Sequence, residues 1–208
     1  MSRELVRTFD GYDQLTVRQK KSWTEILLSF EMRNRYEVFD QMGQAVLVAQ
    51  EVDSGFSGFL ARIFLGPLRP FEVSITDQGT GMEALRLRRP FRFIFHELEV
   101  TDGDGRPLGT IRRKWSWLRR IYEVTDATSG QRMDIFGPFF RPWTFELRVD
   151  GQPLGAIRKR WSGLGKEMFT DADNFGVELG MLPSTSLRAL AFAATVLVDV
   201  VHFENSKG

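Results

Sequence analysis

Two stretches of this chain set cations beside an indole at the same spacing. Arg112, Arg113, Lys114 and Trp115 recur as Arg158, Lys159, Arg160 and Trp161, inside the matching strings GRPLGTIRRKWS (Gly105–Ser116) and GQPLGAIRKRWS (Gly151–Ser162), 46 residues apart. Arg119 and Arg120 follow Trp117. Guanidinium and ammonium groups bind phosphate, and an indole sits well at a membrane boundary, so the pattern suits lipid headgroups. Phosphates and stacked bases of nucleic acid offer the same chemistry. Alternation along a strand sends only half of such charges to one face. Trp115 and Trp161 also suit a packed core.

Covalent chemistry finds little support. There are two histidines and no cysteine. His96 stands in FIFHELEV, a strand pattern, and His202 in an apolar C-terminal run. No nucleophile elbow, phosphate-binding glycine loop or HExxH string is present. Without cysteine there is no disulfide, thiolate metal site, cysteine nucleophile or S-palmitoyl group. No enzyme is expected. The N-terminus MSRELVRTFDGYDQ has no apolar core of a secretory signal, which makes a cytoplasmic protein the expectation.

At 208 residues one domain is expected. The net charge is only +1, yet residues 105–165 carry twelve basic against five acidic side chains. A basic middle points to a phosphate-bearing partner. A short signature recurs along the chain: YEV at Tyr36, FEV at Phe71, LEV at Leu98, YEV at Tyr122 and FEL at Phe145. Each precedes a cluster rich in Asp and Gly, which is hairpin chemistry. Roughly ten to twelve strands follow. A meander of that length removes its edges by closing into a barrel, and so wide a barrel needs a filling.

The filling is sought in Ser186–Glu204, SLRALAFAATVLVDVVHFE. Ala189–Val198 is apolar on every side of a helix, which marks a buried or a spanning element. Spanning needs about 20 apolar residues, but Arg188 and Asp199 bracket ten positions. A buried core helix is therefore expected. Residues 12–31 are read as an early strand or short helix that closes the barrel. Phe56–Phe64, FSGFLARIF, is read as a segment packed over a barrel end, with a membrane-dipping loop as the alternative.

The string WSG-x₅-FTDADNFG (Trp161–Gly176), ahead of the C-terminal apolar segment, resembles the phospholipid scramblase family. FEMRNRYEVFDQMGQAVLVAQE (Phe30–Glu51), GPLRPFEVSITDQGTGMEALRLRRPFR (Gly66–Arg92) and FGPFFRPWTFEL (Phe136–Leu147) fit the family pattern in the same order. The resemblance runs from about Leu15 to Glu204.

The resemblance implies a tubby-like fold: a mainly β, closed antiparallel barrel of about twelve strands around a hydrophobic C-terminal helix. The expected organisation is an N-terminal tail over residues 1–14 and a barrel domain over 15–208, with the core helix at about 185–203. It implies transbilayer phospholipid movement, or binding of an anionic phospholipid surface, by a protein peripheral on the inner leaflet. The alternative is a barrel that binds phosphoinositides, protein partners or nucleic acid without scrambling. Nucleic acid is the less favoured partner. Headgroup contacts are assigned to Arg112, Arg113, Lys114, Trp115, Arg158, Lys159, Arg160 and Trp161.

The family also implies a calcium loop over Asp171–Leu182. Asp171, Asp173, Phe175 and Gly176 would fill its first, third, fifth and sixth positions, with Glu178 in reach only of a distorted loop. The twelfth position, where a bidentate carboxylate is needed, is Leu182. Any calcium binding is expected to be weak. An Asx-rich turn, with Asp171 and Asn174 satisfying local amides, is the competing reading.

Overall fold

Five Gly- and Asp-bearing turns join neighbouring strands at one end of the fold. The computed structural model describes residues 8–19, 35–52, 71–90, 97–114, 116, 120–138, 140–141, 143–160 and 174–202. A short 3-10 helix, Thr8–Gly11, leads into twelve strands. They are β1 (Gln14–Gln19), β2 (Arg35–Phe39), β3 (Ala45–Glu51), β4 (Phe71–Asp77), β5 (Glu83–Arg89) and β6 (Glu97–Asp102). Then come β7 (Pro107–Lys114), β8 (Arg120–Asp126), β9 (Arg132–Gly137), β10 (Thr144–Val149), β11 (Gln152–Arg160) and β12 (Asn174–Glu178). One helix, α1 (Thr185–His202), follows.

Each strand pairs antiparallel with its sequence neighbour, and β1 also pairs with β12, so the sheet is a closed barrel. The twelve-stranded barrel with a C-terminal helix is the fold the sequence called for. β1 makes the closure expected of the region after Tyr12. The Phe56–Phe64 segment and residues 20–34 lie outside the described residues.

The turns repeat one device. Asp40, Asp77, Asp102 and Asp126 are buried at the ends of β2, β4, β6 and β8. Each turns its Oδ1 back on its own hairpin: Asp40 accepts from Met42 N and Gln44 N, and Asp102 from Asp104 N and Arg106 N. Asp77 accepts from Thr80 N, and Asp126 from Thr128 N. A buried carboxylate is tolerable when its oxygens are hydrogen-bonded. The turns leave through Gly43, Gly81, Gly105 and Gly130, all at φ between 69° and 79°, a region that glycine enters without steric cost. The β10–β11 turn, Asp150–Gly151, has both residues at positive φ, as a two-residue hairpin requires.

Alternate strand residues point into the lumen, among them Leu15, Val17, Leu47, Leu85, Leu87, Ile111, Tyr122, Ile135, Phe145 and Val177. The helix α1 fills what they leave. Leu187 and every residue from Ala189 to Val198 are buried, with at most 2% exposure. Leu and Phe side chains so buried contribute about 1.5–3 kcal/mol each, which places this face-less apolar helix inside the wall. Thr195, its one polar residue in that run, donates its hydroxyl to the Ala191 carbonyl at 3.0 Å. Gly109 of β7 makes room for the helix: a Cβ there would sit 2.4 Å from the Thr125 carbonyl oxygen and 2.8 Å from Leu190 Cδ1.

Residues ahead of β1 pack against the helix. Phe9 is fully buried, with its ring 5.7 Å from Phe192 and 6.2 Å from Tyr12. Arg188, at the start of α1, donates to the carbonyls of Asp10 and Gly180 at 3.1 and 2.9 Å. Thr185 donates to Asp10 Oδ1 at 2.6 Å. These bonds seat α1 at the end of the barrel that carries the tight turns, here the turn end. The opposite end, where longer connections join the strands, is the loop end. The helix runs from the first to the second.

Candidate functional site

The two basic repeats occupy β7 and β11, four strands apart on the barrel, and both run toward the loop end. The pleat splits each run between two faces. Arg112 and Lys114 follow the outer phase, opposite the buried Ile111. Arg112 lies 3.3 Å from Glu97, and Lys114 lies 2.7 Å from Glu123 and 3.4 Å from Asp134. Arg158, on the outer face of β11, pairs with Glu178 of β12. The Lys114 ammonium is held above its usual range, chiefly by its hydrogen bond to Glu123 and further by Asp134, against some desolvation. These three cations are engaged with carboxylates on the wall.

Arg113 and Lys159 follow the other phase, that of the buried Ile111 and Ile157, two residues nearer the loop end. Arg113 is exposed and opposes Tyr122. Lys159 places its Nζ 5.3 Å from the Trp143 ring centroid and 5.6 Å from that of Phe175. Such distances are cation–π contacts. Arg160 ends β11. Trp115 and Trp161 lie outside the described residues.

The same mouth gathers residues the sequence reading passed over. Arg89, in phase with Leu85 and Leu87, is 5% exposed at the end of β5. Between β9 and β10 stand Phe140, 91% exposed, the exposed Arg141, and Trp143, 40% exposed. The FFRPW string within FGPFFRPWTFEL was the available signal, but only strand pairing shows which end it occupies.

A groove of about 540 Å³ opens on the outside of the wall across β10, β11 and β12. Arg141, Glu146, Arg158 and Glu178 border it, and Leu154 and Ala156 line it. Gly155, the repeat partner of Gly109, lies there with no space for a Cβ: one would sit 2.4 Å from the Glu178 carbonyl oxygen. At the turn end, burial and then the charges of Asp77 and Asp40 push the Tyr12 phenol up.

The calcium loop divides at the start of β12. Asp171 and Asp173 lie outside the described residues. Phe175 is buried in the lumen, Gly176 pairs with Thr16 and Arg158 in the ladder, and Glu178 is bound to Arg158. Leu182 is 2% exposed, with its N–H donating to the Leu179 carbonyl at 2.9 Å. A strand followed by a buried leucine does not wrap an ion as a calcium loop does, so this half does not fit the metal. Among the described residues no group of three or more His, Asp or Glu side chains is set to hold one. His202 ends α1, and His96 lies outside the described residues.

A closed twelve-stranded barrel around a C-terminal helix is the fold that the resemblance implied. A sequence model of the Scramblase family matches residues 3–205. The chain is 30% identical over 210 residues to phospholipid scramblase 2 of Bos taurus, covering 94% of this chain and 70% of that protein. It is 30% identical over 208 residues to phospholipid scramblase 1 of Homo sapiens, covering 93% of this chain and 64% of that protein. It is 28% identical to phospholipid scramblase family member 5 of Homo sapiens, over 93% of this chain and 75% of that protein. No solved structure matches the chain. The chain belongs to the scramblase family.

Proposed function

We propose that this protein is a phospholipid scramblase-type lipid protein. It engages anionic phospholipid at a membrane surface and supports movement of phospholipid between leaflets, without making or breaking a covalent bond. The observation that carries this is the family match over residues 3–205. Relatives named phospholipid scramblases, aligned over nearly the whole chain, support it. In this reading the protein sits peripherally on the inner leaflet. Its contribution is to hold phosphate-bearing headgroups with the cations at the loop end, each worth about 1 kcal/mol near an anionic surface.

One observation favours a second reading. Among the described residues no helix is long and apolar enough to cross a membrane, and α1 is enclosed by the barrel. A polar path through hydrocarbon is then hard to build from one copy, and the protein would bind lipid without translocating it.

The deciding experiment loads vesicles of phosphatidylcholine and phosphatidylserine with a fluorescent phospholipid in both leaflets, then adds dithionite, which cannot cross the bilayer. Scrambling predicts that bleaching continues into the inner-leaflet label when the protein is present. Bleaching confined to the outer leaflet, with the protein bound, selects the binding-only reading. Failure to bind at all contradicts both.

A further inference from the structure

The strand termini at the two ends of the barrel carry opposite charge, and the connecting sequences at one of them are rich in aromatic residues. At the loop end five of the twelve strand termini are basic, Arg35, Arg89, Lys114, Arg120 and Arg160, against two acidic, Glu51 and Glu97. At the turn end five are acidic, Asp77, Glu83, Asp102, Asp126 and Glu178, against Arg132 alone. The connections follow the same division. All five tryptophans and more than half of the eighteen phenylalanines fall in sequence between strands joined at the loop end. No aromatic residue falls between strands joined at the turn end. Core packing does not require this, because Phe140 is 91% exposed and Trp143 is 40% exposed.

We propose that the barrel docks end-on, by its loop end, on an anionic phospholipid bilayer. This rests on the lipid-surface reading above and names the surface that performs it. Phe140 and Trp143 take the interfacial level, where aromatic rings are favoured. Arg113, Arg141 and Lys159 lie over the headgroups, adding electrostatic attraction. The turn end, with its acidic termini, faces water. Because the net charge is only +1, an unoriented molecule gains little from an anionic surface. The separation of charge along the barrel supplies the attraction and sets the orientation together. Two loop ends would repel, which disfavours a symmetric pair of copies, and exposed rings beside cations are the pattern of a bilayer interface.

The absence of cysteine makes the test clean. Phe140→Cys at the loop end and Met42→Cys at the turn end, where Met42 is 73% exposed, each give one labelling site for a polarity-sensitive fluorophore. Thermal melting first shows that both labelled proteins fold as the parent does. With vesicles of phosphatidylcholine containing phosphatidylserine, the label at 140 shifts to the blue and loses quenching by aqueous iodide, while the label at 42 does neither. With phosphatidylcholine alone, neither label responds. The double charge reversal Arg141→Glu, Lys159→Glu weakens sedimentation with the anionic vesicles by about tenfold or more.

If the protein sediments with anionic vesicles while the label at 42 shifts, or while that at 140 does not, the docking face is wrong and the lipid-surface reading survives. If the parent protein does not sediment, both fall. A blue shift at 140 that grows with protein concentration and needs no lipid assigns the patch to a second copy, which overturns the proposal.

Discussion

Glu123 sits among three cations, Lys114, Arg132 and Arg112. Its carboxyl is held below the ordinary carboxylate range, first by the hydrogen bond from Lys114 and further by Lys114, Arg132 and Arg112 charges, against some desolvation. A depressed carboxyl binds protons less readily in the folded state than in the unfolded one. Its stabilisation is therefore present above the unfolded carboxylate range and is lost as pH falls through the lower, folded value. Lys114 is 43% exposed at its side chain, so solvent screening limits the pair to about 1 kcal/mol or less. Replacing Glu123 by Gln should lower stability near neutral pH by no more than that and flatten the acid limb of the stability curve. Denaturant melts at pH 7 and in the acid range check it. An equal loss at both pH values would assign the residue's role to packing. The sequence made such pairs only half visible. Alternation told that Arg112 and Arg113 part company, but not that Arg112 meets Glu97, fifteen residues away, or that Arg158 meets Glu178, twenty away. Register creates these neighbours. For the same reason Arg141 and Trp143 stood in plain view as a string without a place.

At the scale of elements, the hairpins were legible because their turn chemistry is local. An Asp followed by a Gly three or four residues on is both the signal and the mechanism, as the Asp40 and Asp102 turns show. The helix was legible from length: ten apolar positions between Arg188 and Asp199 are too few to span and enough to fill. The 3-10 helix was not, since four residues carry no periodicity and Phe9 is buried by Phe192, far along the chain. The enclosure of α1 has a direct consequence. Ala193 is fully buried, so Ala193→Arg places an unpaired charge in an apolar lumen at a cost of several kcal/mol. The variant should fail to reach a folded, monodisperse state, read by circular dichroism and size exclusion. Normal folding of the variant would show that the barrel does not enclose the helix.

The described residues form a polarised barrel whose ends differ in charge and whose C-terminal helix is spent on the core. Composition hid this, because a net charge of +1 averages the two ends. The basic middle third gave a partial view: strand pairing sets Arg112 and Arg158 against carboxylates on the wall and places Arg113 and Lys159 in the lumen phase near the loop end. In the proposed reading the protein holds to lipid from the surface, mainly by charge, with no acyl chain on cysteine to resist salt. Sedimentation with vesicles of phosphatidylcholine, with and without phosphatidylserine, at low salt and at about 0.5 M tests that most directly. Screening shortens from about 10 Å at 0.1 M toward about 3 Å at 1 M. The protein should pellet with the anionic vesicles at low salt, stay in the supernatant of the neutral ones, and be largely released at high salt. Retention at high salt, or equal binding to neutral vesicles, would mean that apolar insertion holds it and would contradict the account.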